Sequence, residues 1–354
     1  MNSLIKIVGK NIRTEKDGYY WGKPPLKSNI LNDQEREEYK NFESIAERWI
    51  CSDDIDYPSF VDFNGAKLSL NQLFKENALD IFGQRHFKEY GPYLGTIMKL
   101  LDTNDQISKG SLSLQVHPDI SYTSLPAKPE MWISLSYKTK VYLGWMTDLT
   151  KQELLNYLEN NTIFDKLNSV SLNVGEKLLI DGGVVHAIRY GSFLAEWSCA
   201  PFGKNIEKGS LKKASVALAD DTDGKIPRSG KVDLPLAIKI LEHVSYGLKK
   251  LDVSKNIPEV NTLFIDKKGN CIKEIFRTFD ICVEEILVKD KISLKNKDKL
   301  SCLFLYNGDV DINYLGRTEF LKEDSEVLLP FYIKEAEFVN KSSKIVRIYR
   351  WYKP

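Results

Sequence analysis

The sequence predicts a mainly β protein with helical insertions, built as two related β-barrels. Three observations carry that expectation. From about residue 95 the chain runs through short β-prone stretches bounded by turns, among them "SLSLQVH", "MWISLSY" and "KVYLGW". From about 270 it does so again, in "ICVEEILV", "LSCLFLYNG", "DVDINYLG", "SEVLLPFYI" and "KIVRIYRWY", at the spacing of a sandwich or barrel. The two regions also echo one another. "GEKLLID" (175–181) and "DSEVLLP" (324–330) each place a turn residue six positions before the Asp or Pro that ends an aliphatic strand. At 354 residues the chain exceeds what one core serves, so we expect an N-terminal domain over 1–250 and a C-terminal one over 251–354.

The helical insertions come in order along the chain. "LNDQEREEYKNFESIA" (31–46) is polar and helix-favouring, and predicts a surface helix. "LSLNQLFKENALDIFG" (68–83) spaces its leucines and phenylalanines as a helix does and ends at Gly83. "TKQELLNYLEN" opens with Thr150 and has Glu153 three residues later, a capping box. Strands resume at "SVSLNVGEKLLI" and "VVHAIRYGSFLAEWS". The stretch 203–231, rich in Gly, Lys, Ser and Asp, reads as a long excursion or lid. "DLPLAIKILEHVSYGLKKL" (233–251) is the clearest helix, with Pro235 near its start, where proline is tolerated.

Fifty basic residues against 49 acidic ones leave a net charge of +1, which argues against a nucleic-acid or membrane-surface partner. The apolar run in "MNSLIKIVGKN" is too short for a signal peptide, and no stretch reaches the length of a membrane span. The five cysteines, scattered and with no C-x-x-C among them, read as reduced residues of a cytoplasmic protein.

Chemistry concentrates in "SLSLQVHPD" (111–119). Ser111, Ser113, Gln115 and His117 share one parity, so a strand here presents a row of uncharged polar groups on one face. A solvated face more often carries Lys, Glu or Thr. Glu130 comes next in "AKPEMWISLSY", where Lys128, Glu130, Trp132 and Ser134 share a parity, and His186 comes after a Gly-Gly turn. Two imidazoles, a carboxylate and an amide oxygen on separate strands form a ligand set for zinc or another first-row divalent ion. His86 and His243 read as ordinary packing or surface groups.

"LSLQVHPD" resembles the L-S-x-Q-x-H-P-D segment of class I mannose-6-phosphate isomerases. "AKPEMW" resembles their G-K-x-E-x-W segment, and "GEKLLIDGGVVHAI" is similar to the cupin pattern G-x5-P-x-G-x2-H, with Asp181 in place of proline. "YGPYLGTIMKLLD" and "AERWICS" resemble the N-terminal region of that family. The resemblance covers about residues 40–200 in consistent order, and more loosely the C-terminal strands. It implies two cupin-type jelly-roll barrels, the second without metal, with Gln115, His117, Glu130 and His186 binding the ion. It also implies that Ser113 lies near the sugar phosphate and Lys128 in the active site. The implied reaction interconverts mannose-6-phosphate and fructose-6-phosphate through a cis-enediol.

The resemblance breaks beyond the second histidine. Glu196 matches a family glutamate, but Trp197, Ser198 and Cys199 depart from the family's Glu-x-Gln-x-x-Ser pattern, and its Thr-Tyr-Arg is absent. A cation must take the place of that arginine against the phosphate. Arg228 is the first candidate, in the active site, with Lys212, Lys213 and Arg189 next as substrate contacts. The altered segment leaves two alternatives: an isomerase of another sugar or sugar phosphate, and a non-catalytic metal-binding cupin that senses sugars. The sequence does not specify the oligomeric state.

Overall fold

The computed structural model describes residues 3–105, 111–122, 125, 127–199, 216–219, 233–296 and 298–354, with the backbone alone at Cys199. The chain divides into two units, each threaded from separate stretches. One gathers Met1–Asn11, Ile50–Ile97 and Glu259–Pro354; the other gathers Ile12–Trp49 and Met98–Pro258.

In the first unit, a seven-stranded antiparallel sheet runs Ile5–Lys6, Glu326–Leu329, Ser301–Asn307, Val346–Tyr352, Cys282–Val288, Cys271–Arg277, Asn261–Ile265. A four-stranded sheet runs Lys291–Lys295, Glu335–Asn340, Val310–Tyr314, Arg317–Leu321. Alternate residues of both sheets, among them Ile286, Leu303, Ile348, Ile292, Ile312 and Phe338, form one buried core. That is how two amphipathic sheets bury their apolar faces. Beside this core sits a closed polar network. Arg350 donates to Glu284 (2.9 Å), Asn296 (3.0 Å) and Ser301 (3.0 Å), and Tyr352 donates to Glu284 (2.8 Å).

In the second unit, a five-stranded sheet runs Leu167–Leu172, Thr139–Trp145, His186–Ile188, Leu114–Val116, Val216–Ala219. A six-stranded sheet runs Lys177–Ile180, Glu130–Ser134, Phe193–Cys199, Thr96–Asp102, Ile45–Ile50, Asn11–Thr14. Between them Val141, Leu143 and Ile188 meet Trp132, Leu178, Ile180 and Leu194. The other face of the five-stranded sheet carries Leu114, Val116, Trp145 and Ala187. It is covered by the helices Lys151–Glu159 and Leu234–His243 through Leu154, Ala237, Ile240 and Leu241.

The expected fold class is thus observed: mainly β, in two double-sheet units with helical insertions. The two echoing segments become the strands Lys177–Ile180 and Glu326–Leu329. Each is introduced by a residue of positive φ, Gly175 (84°) and Asp324 (74°). Thr150 and Glu153 form the expected capping box, and Asp233 caps the helix that contains Pro235.

Two helices differ from expectation. The stretch 31–46 yields only Asp33–Glu38, capped by Asn32 and Glu35. It has no apolar stripe to bury, while Ile45 and Ala46 open a strand whose six residues are all buried. Gly83 does not end its helix, which runs Leu70–Tyr90 with Gly83 as an interior kink (φ 80°). A Cβ there would stand 2.8 Å from the Phe331 ring, so the glycine admits a close approach. The expected lid over 203–231 lies outside the described residues except for Val216–Ala219, an edge strand against Leu114–Val116.

The four cysteines whose side chains are described, Cys51, Cys271, Cys282 and Cys302, are free and buried. Among the described residues, no helix is long and apolar enough to cross a membrane.

Candidate metal centre

The centre forms where the two sheets of the second unit face each other. Leu114 and Val116 point into the helix-covered core, which turns Gln115 to the opposite face. Gln115 is the Cα partner of His186, and directly opposed residues of an antiparallel pair share a face. The Gln115 amide donates to Ser113 Oγ at 3.0 Å, which orients the side chain. Beyond the strand the chain reaches His117, and the Gly182–Gly183 turn lies against it. Gly183 N–H donates to the His117 carbonyl at 2.7 Å. A Cβ on Gly182 would collide with the backbone of Pro118 and Asp119.

Glu130 opens a strand of the facing sheet. Its Oε1 lies 3.0 Å from His117 Nε2 and its Oε2 lies 3.6 Å from His186 Nε2. The two imidazoles are 4.7 Å apart, centre to centre. One donor atom from each of these three buried residues falls within 4.8 Å of the others. His186 Nδ1 sits 2.9 Å from the Val184 carbonyl, so Nδ1 carries the proton and Nε2 turns its lone pair inward. Trp132 Nε1 donates to Glu130 Oε2 at 3.2 Å, and the indole edge meets the His186 ring.

Electrostatics prepares these groups as ligands. Burial, reinforced by Lys128, pushes His117 down to about 3, and burial likewise lowers His186, so both rings are neutral at physiological pH. Burial opposes ionisation of Glu130. The Lys128 ammonium and the two imidazoles outweigh it and hold the carboxyl well below its ordinary range. Lys128 Nζ lies 2.5 Å from Glu130 Oε1 and 3.4 Å from His117 Nε2. Two neutral imidazole nitrogens and one carboxylate oxygen, converging in a buried space, fit a divalent first-row cation such as zinc.

Three further charged groups, not foreseen as site residues from the sequence, share the inner face of the six-stranded sheet. Lys99 Nζ lies 3.6 Å from Glu196 and 3.9 Å from Glu47, and 4.8 Å above the Trp49 ring, whose Nε1 donates to Glu47 at 2.6 Å. The two carboxylates outweigh the burial of Lys99 and raise its pKa. Burial and the charge of Glu130 push Glu196 above the ordinary carboxyl range. A lysine inside "TIMKLLD" and a glutamate inside "IAERWI" were the available signals, since each interrupts an otherwise apolar strand.

The structure thus brings Gln115, His117, Lys128, Glu130 and His186 to one face or cavity, with Ser113 hydrogen-bonded to Gln115. Arg189 is not brought there. It comes after Ile188 with the parity of Ala187, stacks 4.9 Å over Tyr142 and donates to Ser169. That is the face away from His186. Lys212, Lys213 and Arg228 lie outside the described residues.

No protein-family model and no curated protein sequence matches this chain. Its fold, however, is that of solved mannose-6-phosphate isomerases. The chain is similar to the mannose 6-phosphate isomerase of Bacillus subtilis, with a TM-score of 0.73, 18% identity, and coverage of 98% of this chain and 99% of that one. It is also similar to an arginine-to-alanine variant of the phosphomannose isomerase of Salmonella typhimurium, with a TM-score of 0.68, 14% identity, and 99% of each chain covered. A zinc-bound mannose 6-phosphate isomerase matches at a TM-score of 0.68 and 13% identity, again over 99% of each chain. At these identities the likeness is one of fold.

Proposed function

We propose that the protein is a metal-dependent aldose–ketose isomerase that interconverts mannose-6-phosphate and fructose-6-phosphate. The observation that carries this reading is the convergence of His117, Glu130 and His186 around Lys128, in a fold shared end to end with solved mannose-6-phosphate isomerases. In this reading Gln115, His117, Glu130 and His186 hold the divalent ion. The ion, when bound, organises and polarises the oxygens on the reacting carbons.

The protein's own groups do the rest. Lys128 presents a fixed ammonium next to the ligand cluster, where negative charge grows as the enediol forms. Glu196, raised above the ordinary carboxyl range, is the described carboxyl suited to take up and return a proton near neutral pH. Ser113, joined to Gln115, is assigned to the substrate side of the centre. The phosphate requires a cation away from the reacting carbons, so that binding energy positions them. With Arg189 on the other face, we assign that role to Arg228, with Lys212 and Lys213 next.

The test is an exchange assay. Zinc-loaded protein is incubated with mannose-6-phosphate deuterated at C2, and both deuterium loss and fructose-6-phosphate are measured over time. Exchange with net isomerisation is expected, with a raised KM in Arg228→Ala. Exchange only with a free aldose or another aldose phosphate would reassign the substrate. Binding without exchange across the panel would reduce the protein to a sugar-binding cupin.

A further inference from the structure

Ser198 takes no part in the proposed isomerase chemistry. It lies on the strand Phe193–Cys199, is 1% exposed, and its Oγ makes no hydrogen bond among the described residues. A buried hydroxyl without a partner is uncommon in a folded protein and asks for a cause. Its place in the sheet supplies one. Ser198 is the Cα partner of Glu130, so the two side chains share a face. Glu130 directs its carboxylate at His117 and His186, so that face is a wall of the metal centre.

A second observation points the same way. Glu196, two residues earlier, is the partner of Trp132 on this same face. Its Oε1 is also buried without a hydrogen bond among the described residues, and Lys99 stands 3.6 Å from it without bonding. Two neighbouring oxygens on one strand are therefore left to be satisfied by something the protein itself does not provide. Their Cα atoms are spaced at roughly 7 Å, the repeat of one face of a strand.

We infer that Ser198 is a specificity-determining contact for an open-chain polyol, its hydroxyl meeting a ligand hydroxyl beside the metal centre while Glu196 meets another farther along the carbon chain. This rests on the proposed isomerase reading and narrows its substrate class. A serine hydroxyl both donates and accepts, and so does an alcohol, so the pair satisfies both partners. A simple anion only accepts, and Lys128 and Lys99 already serve that need. The spacing along the strand exceeds what a single hydroxyl spans, which selects a chain of several hydroxylated carbons over a small oxygen ligand.

The experiment compares the zinc-loaded full chain with its Ser198→Ala variant by calorimetric titration. The probe is a six-carbon alditol phosphate, which has no carbonyl to isomerise, and inorganic phosphate is titrated in parallel. We expect alditol phosphate binding to weaken about tenfold, the loss of one hydrogen bond. Inorganic phosphate binding and zinc affinity should be unchanged. The melting temperature should not fall, because the serine lost was unpaired in the free protein. Equal alditol phosphate affinity in the two proteins would overturn the assignment while leaving the isomerase reading in place. A parallel loss of zinc or inorganic phosphate binding, or a lowered melting temperature, would overturn it in favour of a structural role. If the unsubstituted protein binds no alditol phosphate, the inference and the reading beneath it both fall.

Discussion

Gly182→Ala should disable the metal centre without touching a ligand. No positive φ is required at Gly182, so alanine is conformationally allowed and its whole effect is steric. The new Cβ would press on the Asp119 Cα and the Pro118 carbonyl, which are backbone atoms with no rotamer to move aside. Pro118 is tethered through its carbonyl to Lys128 N–H at 3.1 Å, and His117 to Gly183 N–H at 2.7 Å. Relief requires the His117–Asp119 segment to retreat by roughly 1 Å to reach ordinary carbon contact. A metal–nitrogen distance tolerates only about 0.2 Å. Zinc affinity should therefore fall by at least about 10- to 100-fold, with about 1–3 kcal/mol of stability lost to overpacking.

Competition against a chromogenic chelator measures the affinity, and urea denaturation the stability. Gly175→Ala is the control. It forces a residue at φ 84° into the left-handed region, yet nothing stands within 4 Å of its Cβ. It should lose about 1 kcal/mol of stability and keep its zinc affinity. Undiminished zinc binding in Gly182→Ala, or an equal loss in Gly175→Ala, would refute the reasoning.

Two predictions concern the other unit. Arg350→Met strands the buried carboxylate of Glu284 and should cost about 3–5 kcal/mol in urea denaturation. Adding Glu284→Gln should recover part of that, and no recovery would show that the loss was one of packing. His86 stacks on Phe82, and its Nε2 lies 2.9 Å from the Tyr93 carbonyl; burial first, and Lys353 second, bring it from 6.5 down to about 4. Below pH 6.5 the unfolded chain takes up this proton before the folded one does, so stability is full above 6.5 and declines between 6.5 and 4. That decline should amount to about 2–3 kcal/mol. In His86→Phe it should be absent, and an unchanged pH slope in that variant would remove His86 from the account.

Alternation made the ligand strands legible. Gln115 and His117 share a parity that the structure keeps, because Leu114 and Val116 had a helix-covered core to enter. The same rule bears on Arg189. It stands three residues after His186, an odd number, and so on the opposite face of a continuous strand. A basic residue near a ligand histidine suggested an anion contact, whereas its parity already argued against one. Helix ends were legible where a cap fixed them, as at Thr150 and Asp233. Elsewhere they were not. The polar stretch 31–46 had no face to hold it helical, and a glycine that reads as a stop at 83 serves packing against Phe331 instead.

The charged floor of the site shows what a linear reading loses. Glu47, Lys99 and Glu196 come from three strands that are adjacent only because the sheet orders them Phe193–Cys199, Thr96–Asp102, Ile45–Ile50. Nothing local in the sequence states that order. A buried charge does leave a local trace, because placing it in an apolar strand is costly unless a partner is supplied. "IAERWI", "TIMKLLD" and "FLAEWSC" each carry that trace. Read together, they require their charges to meet, since each would otherwise be buried alone. Two carboxylates and one ammonium balance to a net negative charge, and Lys128 against Glu130 balances to zero. The described site without its ion therefore carries an excess of negative charge when Glu196 is ionised. A divalent cation held by His117, Glu130 and His186 would relieve the repulsion between Glu130 and Glu196 and lower the cost of ionising Glu196.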